Sequence, residues 1–184
     1  GAFVVGGTAV GMGQFIQGNV RTELSAQQIS FTAADRLSDE ERAIPGLIEN
    51  AGQPLTTGNQ AQIYANMIAL HSRTAAEQAG YPDATYATLG GIQRELRAAV
   101  TTATEANDAA ALEQAQTELT NVTNLRNTLL TASTLRGNLF SAYGWDNVAT
   151  GVQAAGAFIV VLGVAFLVLF VYELRRGHLP PTEA

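Results

Sequence analysis

Cysteine and lysine are both missing from the 184 residues, and histidine occurs only twice. Without cysteine there is no disulfide, no iron–sulfur ligation and no thiolate zinc site. Without lysine there is no Walker-type phosphate loop, whose ammonium group must reach the phosphates. No Gly-x-Ser-x-Gly nucleophile turn occurs either. The ten basic residues, all arginine, face 16 acidic ones, for a net charge of −6. That balance repels phosphate backbones and argues against a nucleic-acid partner. Proline is scarce as well, with none between Pro82 and Pro180, so a long stretch of chain has no strong helix breaker. Charged side chains make up 14% of the residues against 47% hydrophobic, and the apolar content gathers at the two ends.

The C-terminal run is the clearest feature present. From Asn147 to Tyr172 there is no ionisable side chain, and Ala154 to Tyr172 is apolar throughout. As a helix those 19 residues cover roughly 28 Å, close to the hydrocarbon thickness of a bilayer. The run is apolar on every face, whereas a buried core helix keeps a polar side, so it reads as a membrane span. Phe140, Tyr143 and Trp145 before it and Tyr172 at its end are rings of the kind that settle among headgroups. Arg175 and Arg176 follow, which by the positive-inside tendency puts the tail in the cytoplasm and the acidic middle on the other side. At the other end, GAFVVGGTAVGMG covers only about 20 Å. It is expected to be the outer part of a first transmembrane helix that begins upstream, the alternative being a signal-peptide remnant. Small residues let helices approach closely. Gly7, Gly11 and Gly18 on the first helix, with Gly156 and Gly163 on the second, are the candidate packing positions; the plainer alternative is that glycine is common in such helices.

Between the ends lies a hydrated zone, Asn19 to Asp146, that holds the whole negative surplus. Pro and Gly punctuate its first third, so residues 30–57 are expected to be loop with short pieces. Helical stripes follow: Ile63, Met67, Leu70 and Thr74; Leu89, Ile92, Leu96 and Val100; then Leu112, Ala115, Leu119, Val122, Leu125 and Leu129, with Asn107 or Asp108 as the cap. Each stripe is narrow and padded with Ala and Thr, so the helices need one another. The expectation is an all-α fold in which two transmembrane helices flank an extracytoplasmic helical bundle or hairpin. Its divisions are 1–18, the outer part of the first span; 19–146, the exported domain; 147–174, the second span; and 175–184, the tail. A bend is expected at Gly137 and Gly144.

The search for chemistry is brief. His71 and His178 fall on opposite sides of the membrane in this topology, so they cannot share a metal, and no cofactor is expected. The acidic cluster Asp35, Asp39, Glu40 and Glu41 lacks the alternation and glycine of a calcium loop. SDEER reads better as a helix start, with Ser38 as cap and Glu41 three later. Asn121-Val122-Thr123 matches the glycosylation sequon inside a helical pattern. Arg136 is expected near the outer headgroups, where it holds a lipid phosphate, pairs with an acidic group of a partner, or is simply solvated.

The segment LRGNLFSAYGW, Leu135 to Trp145, resembles a group of small actinobacterial membrane proteins with two transmembrane helices around an exported helical region. GNQAQIYANMIAL, Gly58 to Leu70, is similar to their other recurrent segment, and with VRTELSAQQISF before it the likeness touches about half the chain. Ile92 to Asn124 has no counterpart in the shorter members. The resemblance implies a location and a topology. The group carries the label of aromatic ring-opening dioxygenase, which the residues here do not support, because the metal ligands of that chemistry are not available on one side of the membrane. The leading expectation is a non-catalytic accessory subunit of a larger membrane assembly, with lipid and other integral-membrane subunits as partners; a respiratory-chain complex is the commonest host in such a membrane. The alternatives are a self-associating envelope protein, and an enzyme or ligand sensor with His71, Tyr64 and Tyr86 around a small pocket.

Overall fold

A computed structural model describes residues 1–177. All regular structure among them is helical: α1 (Ala2–Ala26), α2 (Asp39–Arg42), α3 (Leu47–Asn50), α4 (Gly58–Gln78), α5 (Tyr86–Glu105) and α6 (Ala109–Arg176), with a 3-10 turn at Ala34–Arg36. The organising element is α6. Its 68 residues amount to roughly 100 Å of unbroken helix, and no proline interrupts it. Gly137 and Gly144, the expected bend, lie inside this continuous helix. The division expected at 146/147 likewise falls within it, so the hydrated region and the apolar run share one rod.

The rest of the chain climbs α6 in the opposite direction. α1 faces its C-terminal third: Ala2 meets Gly163, Gly6 meets Gly156, and Gln17 bonds Thr150. α1 continues eight residues past Gly18, through the helix formers Arg21, Glu23 and Leu24. α4 takes the middle, with Gly58 against Asp146 and Met67 in one core with Leu139. α5 takes the far end, where Leu89 packs with Val122, Leu125 and Leu129. The helices are staggered along a spine, so the chain forms one long hairpin whose outgoing limb is made of segments.

Local chemistry sets the joints. Segment 27–57 is loop with short pieces, closed by a single antiparallel bridge between Ser30 and Pro54, where Phe31 N–H donates to the Gln53 carbonyl and Leu55 N–H to that of Ile29. This loop plugs the space between α1, α4 and α6 with Phe31, Leu37, Leu47 and Leu55. Gly46 is required here: its φ is +83°, and a methyl group on it would lie 2.7 Å from Ile63 Cδ1. Ser38 and Glu41 form the capping box the sequence suggested, and Thr57 with Gln60 forms another at α4. α4 stops at Gly80, φ +81°, where Tyr81 N–H reaches back to the Ala76 carbonyl. The α5–α6 turn uses both candidate residues. Asn107 takes the left-handed position and Asp108 caps α6 by accepting from Ala111 N–H.

Candidate membrane and partner interface

Near the C-terminal end, α1 and α6 touch through backbone. A methyl group on Gly6 would lie 2.7 Å from the Gly156 carbonyl oxygen; one on Gly156 would lie 2.9 Å from Val10 N. One on Gly13 would meet the Ala149 carbonyl at 2.6 Å, and one on Gly163 would meet Ala2 at 3.1 Å. Gly6 and Gly13 are seven apart, as are Ala149, Gly156 and Gly163, so one small residue per two turns recurs on each helix and the backbones close together. Gly156 and Gly163 therefore sit in the contact. Gly7, Gly11 and Gly18 do not: nothing stands within 4 Å of a methyl group placed on any of them. Taking the four-residue spacing of Gly7 and Gly11 as the signal selected the opposite face of α1. The seven-residue spacing already visible at Gly156 and Gly163 was the one to match.

Where the glycines end, amides take over. Gln17 Nε2 donates to the Thr150 hydroxyl at 3.2 Å, and Gln153 Nε2 donates to Gln17 Oε1 at 2.9 Å. Beyond them the outward faces are bare and apolar: Phe15 is 65% exposed, Phe158 62% and Phe166 69%. Among the described residues α6 is the one helix long and apolar enough to cross a membrane. Trp145 and Tyr172, both exposed, are 27 residues apart, roughly 40 Å along the axis, which is about the full thickness of a bilayer with its headgroups. Arg175 and Arg176 occupy the last turn of α6, where positive charge complements the helix dipole. His178 and the remainder of the tail lie outside the described residues.

Arg136 lies nine residues before Trp145 on the unbroken α6, roughly 13 Å along its axis. Its guanidinium rests 5.8 Å from the Phe140 ring centre, and its Nε is buried without a hydrogen-bond partner. Phe140 is exposed and Tyr143 half-buried on the same stretch.

Three polar sites went unread in the sequence. Arg126 clamps α5 to α6: its Nε donates to the Tyr86 carbonyl at 3.1 Å, its Nη1 to Gln93 Oε1 at 3.0 Å, and its guanidinium lies 4.0 Å over the Tyr86 ring. Gln93 is 5% exposed and passes the link on to Thr123. His71 Nε2 lies 2.8 Å from Glu41 Oε1, while Glu41 Oε2 accepts from Ser38 N–H. The Ser38 backbone bond, with help from His71, holds the Glu41 carboxyl below the ordinary range. Tyr81 donates to Glu118, and this bond pushes its phenol up to about 12. His71, Tyr64 and Tyr86 thus serve three separate neighbourhoods, since Tyr64 packs edge-on to Phe31 at 5.4 Å. Only the Ser38-x-x-Glu41 capping pattern is legible in the sequence; the long-range pairs have no sequence spacing to betray them. Among the described residues no three His, Asp or Glu side chains converge.

No family model, curated protein or solved structure matches the chain.

Proposed function

We propose that the protein is a non-catalytic accessory subunit of a larger integral-membrane assembly. In this reading α1 up to about Ile16 and the end of α6 lie together in the bilayer, the tail after Arg176 is cytoplasmic, and the rest of α1, α4, α5 and the rest of α6 form an extracytoplasmic arm. One observation carries the proposal. α6 uses small residues seven apart to receive α1, and the same spacing recurs on its uncovered side at Gly137, Gly144 and Gly151, where nothing lies within 4 Å of an added methyl group. Exposed Phe158 and Leu162 continue that side. A partner helix meeting this face would gain the same backbone approach that α1 enjoys; Gly151, on the bilayer side of Trp145, lies where such packing drives association without a hydrophobic effect, and Gly137 and Gly144 extend the contact into the arm. The arm above braces the partner's outer surface.

The test is extraction in mild detergent followed by native size separation. Co-migration with a larger assembly, lost on Gly151→Leu but retained on Gly11→Leu, supports the reading. Migration as a single chain, or as multiples of the chain alone, defeats it.

A further inference from the structure

Above the glycine contact α1 and α6 part around a groove of about 520 Å³. Its walls are apolar: Ile16, Val20 and Leu24 on one side, Leu135, Leu139 and Trp145 on the other. This is the size and character of a ligand site. The rim carries Asn19, Gln27, Asn138 and Ser141, all uncharged, and its single ionisable group is the Glu23 carboxylate. The lower end begins at Ile16 and Trp145. Met12 lies one turn below Ile16 and Val148 one turn below Trp145 on the same helix faces, and both are exposed. The apolar surface assigned above to the bilayer thus runs directly into the groove.

We propose that the groove takes one hydrocarbon chain of an uncharged lipid from the adjacent leaflet, turned up out of the bilayer past Trp145. The apolar walls replace the chain's hydrocarbon surroundings. The amide and hydroxyl rim hydrogen-bonds a neutral ester or hydroxyl headgroup, and Glu23 disfavours a phosphate. The site rests on the reading that α6 crosses the membrane.

Trp145 is the chain's single tryptophan, so a Trp145→Phe, Gln27→Trp variant carries its one indole at the far end of the groove, roughly 15 Å from the entrance. This variant of the full chain would be reconstituted in phosphatidylcholine vesicles containing either diacylglycerol or phosphatidylglycerol with bromines at the acyl-chain ends, at equal mole fraction. In the bilayer, chain ends lie near the midplane, about 15 Å below the headgroups, too deep to quench that ring. A chain turned into the groove brings its bromines to the ring. Quenching by the diacylglycerol is expected to exceed that by phosphatidylglycerol at least twofold. Ala142→Phe and Ser141→Phe, which fill the groove from a half-buried and an exposed position, should each abolish the excess, whereas Gly18→Phe on the uncovered side of α1 should keep it. Equal quenching by the two lipids, or an excess that survives both groove variants, overturns the proposal. Flotation with the vesicles after an alkaline wash reports the membrane reading separately: a chain that floats without the excess defeats the lipid site alone, and one that does not float defeats both.

Discussion

The two ends of α6 hold their neighbours by different means. Toward Arg176, Gly156 and Gly163 let α1 come to backbone contact, and the large side chains point outward. Toward Ala109, the arrangement is reversed: Val122, Leu125 and Leu129 turn inward onto Leu89 and Ala76, and of the large apolar side chains of α6 there only Leu130 is exposed. In water, apolar side chains gain by leaving the solvent, at about 25 cal/mol per Å² buried. In hydrocarbon they gain nothing by it, so under the proposed membrane placement close packing and hydrogen bonds such as Gln17–Thr150 and Gln153–Gln17 hold the pair. One helix thus carries an inside-out inversion along its length. Hydrogen-bonded polar links occur at both ends, but only the far end adds a guanidinium, Arg126.

The sharpest way to break the contrast is to delete a large side chain at the far end. Leu89→Ala is expected to cost about 2–5 kcal/mol, because Leu89 is fully buried and its neighbours are fixed on α6. Thermal unfolding followed by helical circular dichroism reads this, and Leu130→Ala, on the exposed side, should stay within about 0.5 kcal/mol. At the other end the damaging change is addition. Gly156→Leu drives a side chain into the Gly6 carbonyl and Val10 backbone, for about 1–3 kcal/mol of overpacking. Since the chain has no cysteine, a Gln17→Cys, Thr150→Cys pair should cross-link cleanly, with a yield that collapses on Gly156→Leu and survives Gly11→Leu. Arg126→Lys keeps the charge but loses the planar fork and the stacking on Tyr86, for about 1–2 kcal/mol. Hydrogen exchange in α5 should quicken while α1 is unchanged.

The smallest effect expected is in pH. Glu41 titrates below its unfolded value, so its contribution is fully present above the unfolded carboxylate pKa and is lost as pH falls through the lower, folded one. Glu41→Gln should flatten that acid limb, because the amide keeps an acceptor for Ser38 N–H, as Gln60 does at α4, but carries no titrating charge. An acid limb unchanged by the substitution would show that another carboxylate dominates.

Much of the helical content was legible because it rests on local rules. The stripes at Ile63 and Met67, at Leu89, and at Val122 to Leu129 mark core-facing positions, although Thr74 of the first stripe is exposed; helix period fixes the face, but how far the neighbour extends fixes where burial stops. The cap at Ser38 and the stop at Gly80 follow from hydrogen bonds within a few residues. The length of α6 was only half read. Glycine in the sequence suggests a bend, yet in a rod with α1, α4 and α5 packed along it, Gly137 and Gly144 cost propensity without breaking the helix.

The sequence by itself determined that the chain is helical, where its apolar run lies, and which chemistries its missing residues exclude, because composition and periodicity act on each segment alone. Which glycines meet was decided only in three dimensions. Gly6, Gly7, Gly11, Gly13 and Gly18 are chemically the same residue, and it is the rotation of α1 against α6 that sends two of them into contact and leaves three bare. The same holds for Glu41 with His71 and for Arg126 with Tyr86 and Gln93: residues 30 to 40 positions apart become partners through the register between helices, a relation no local pattern encodes.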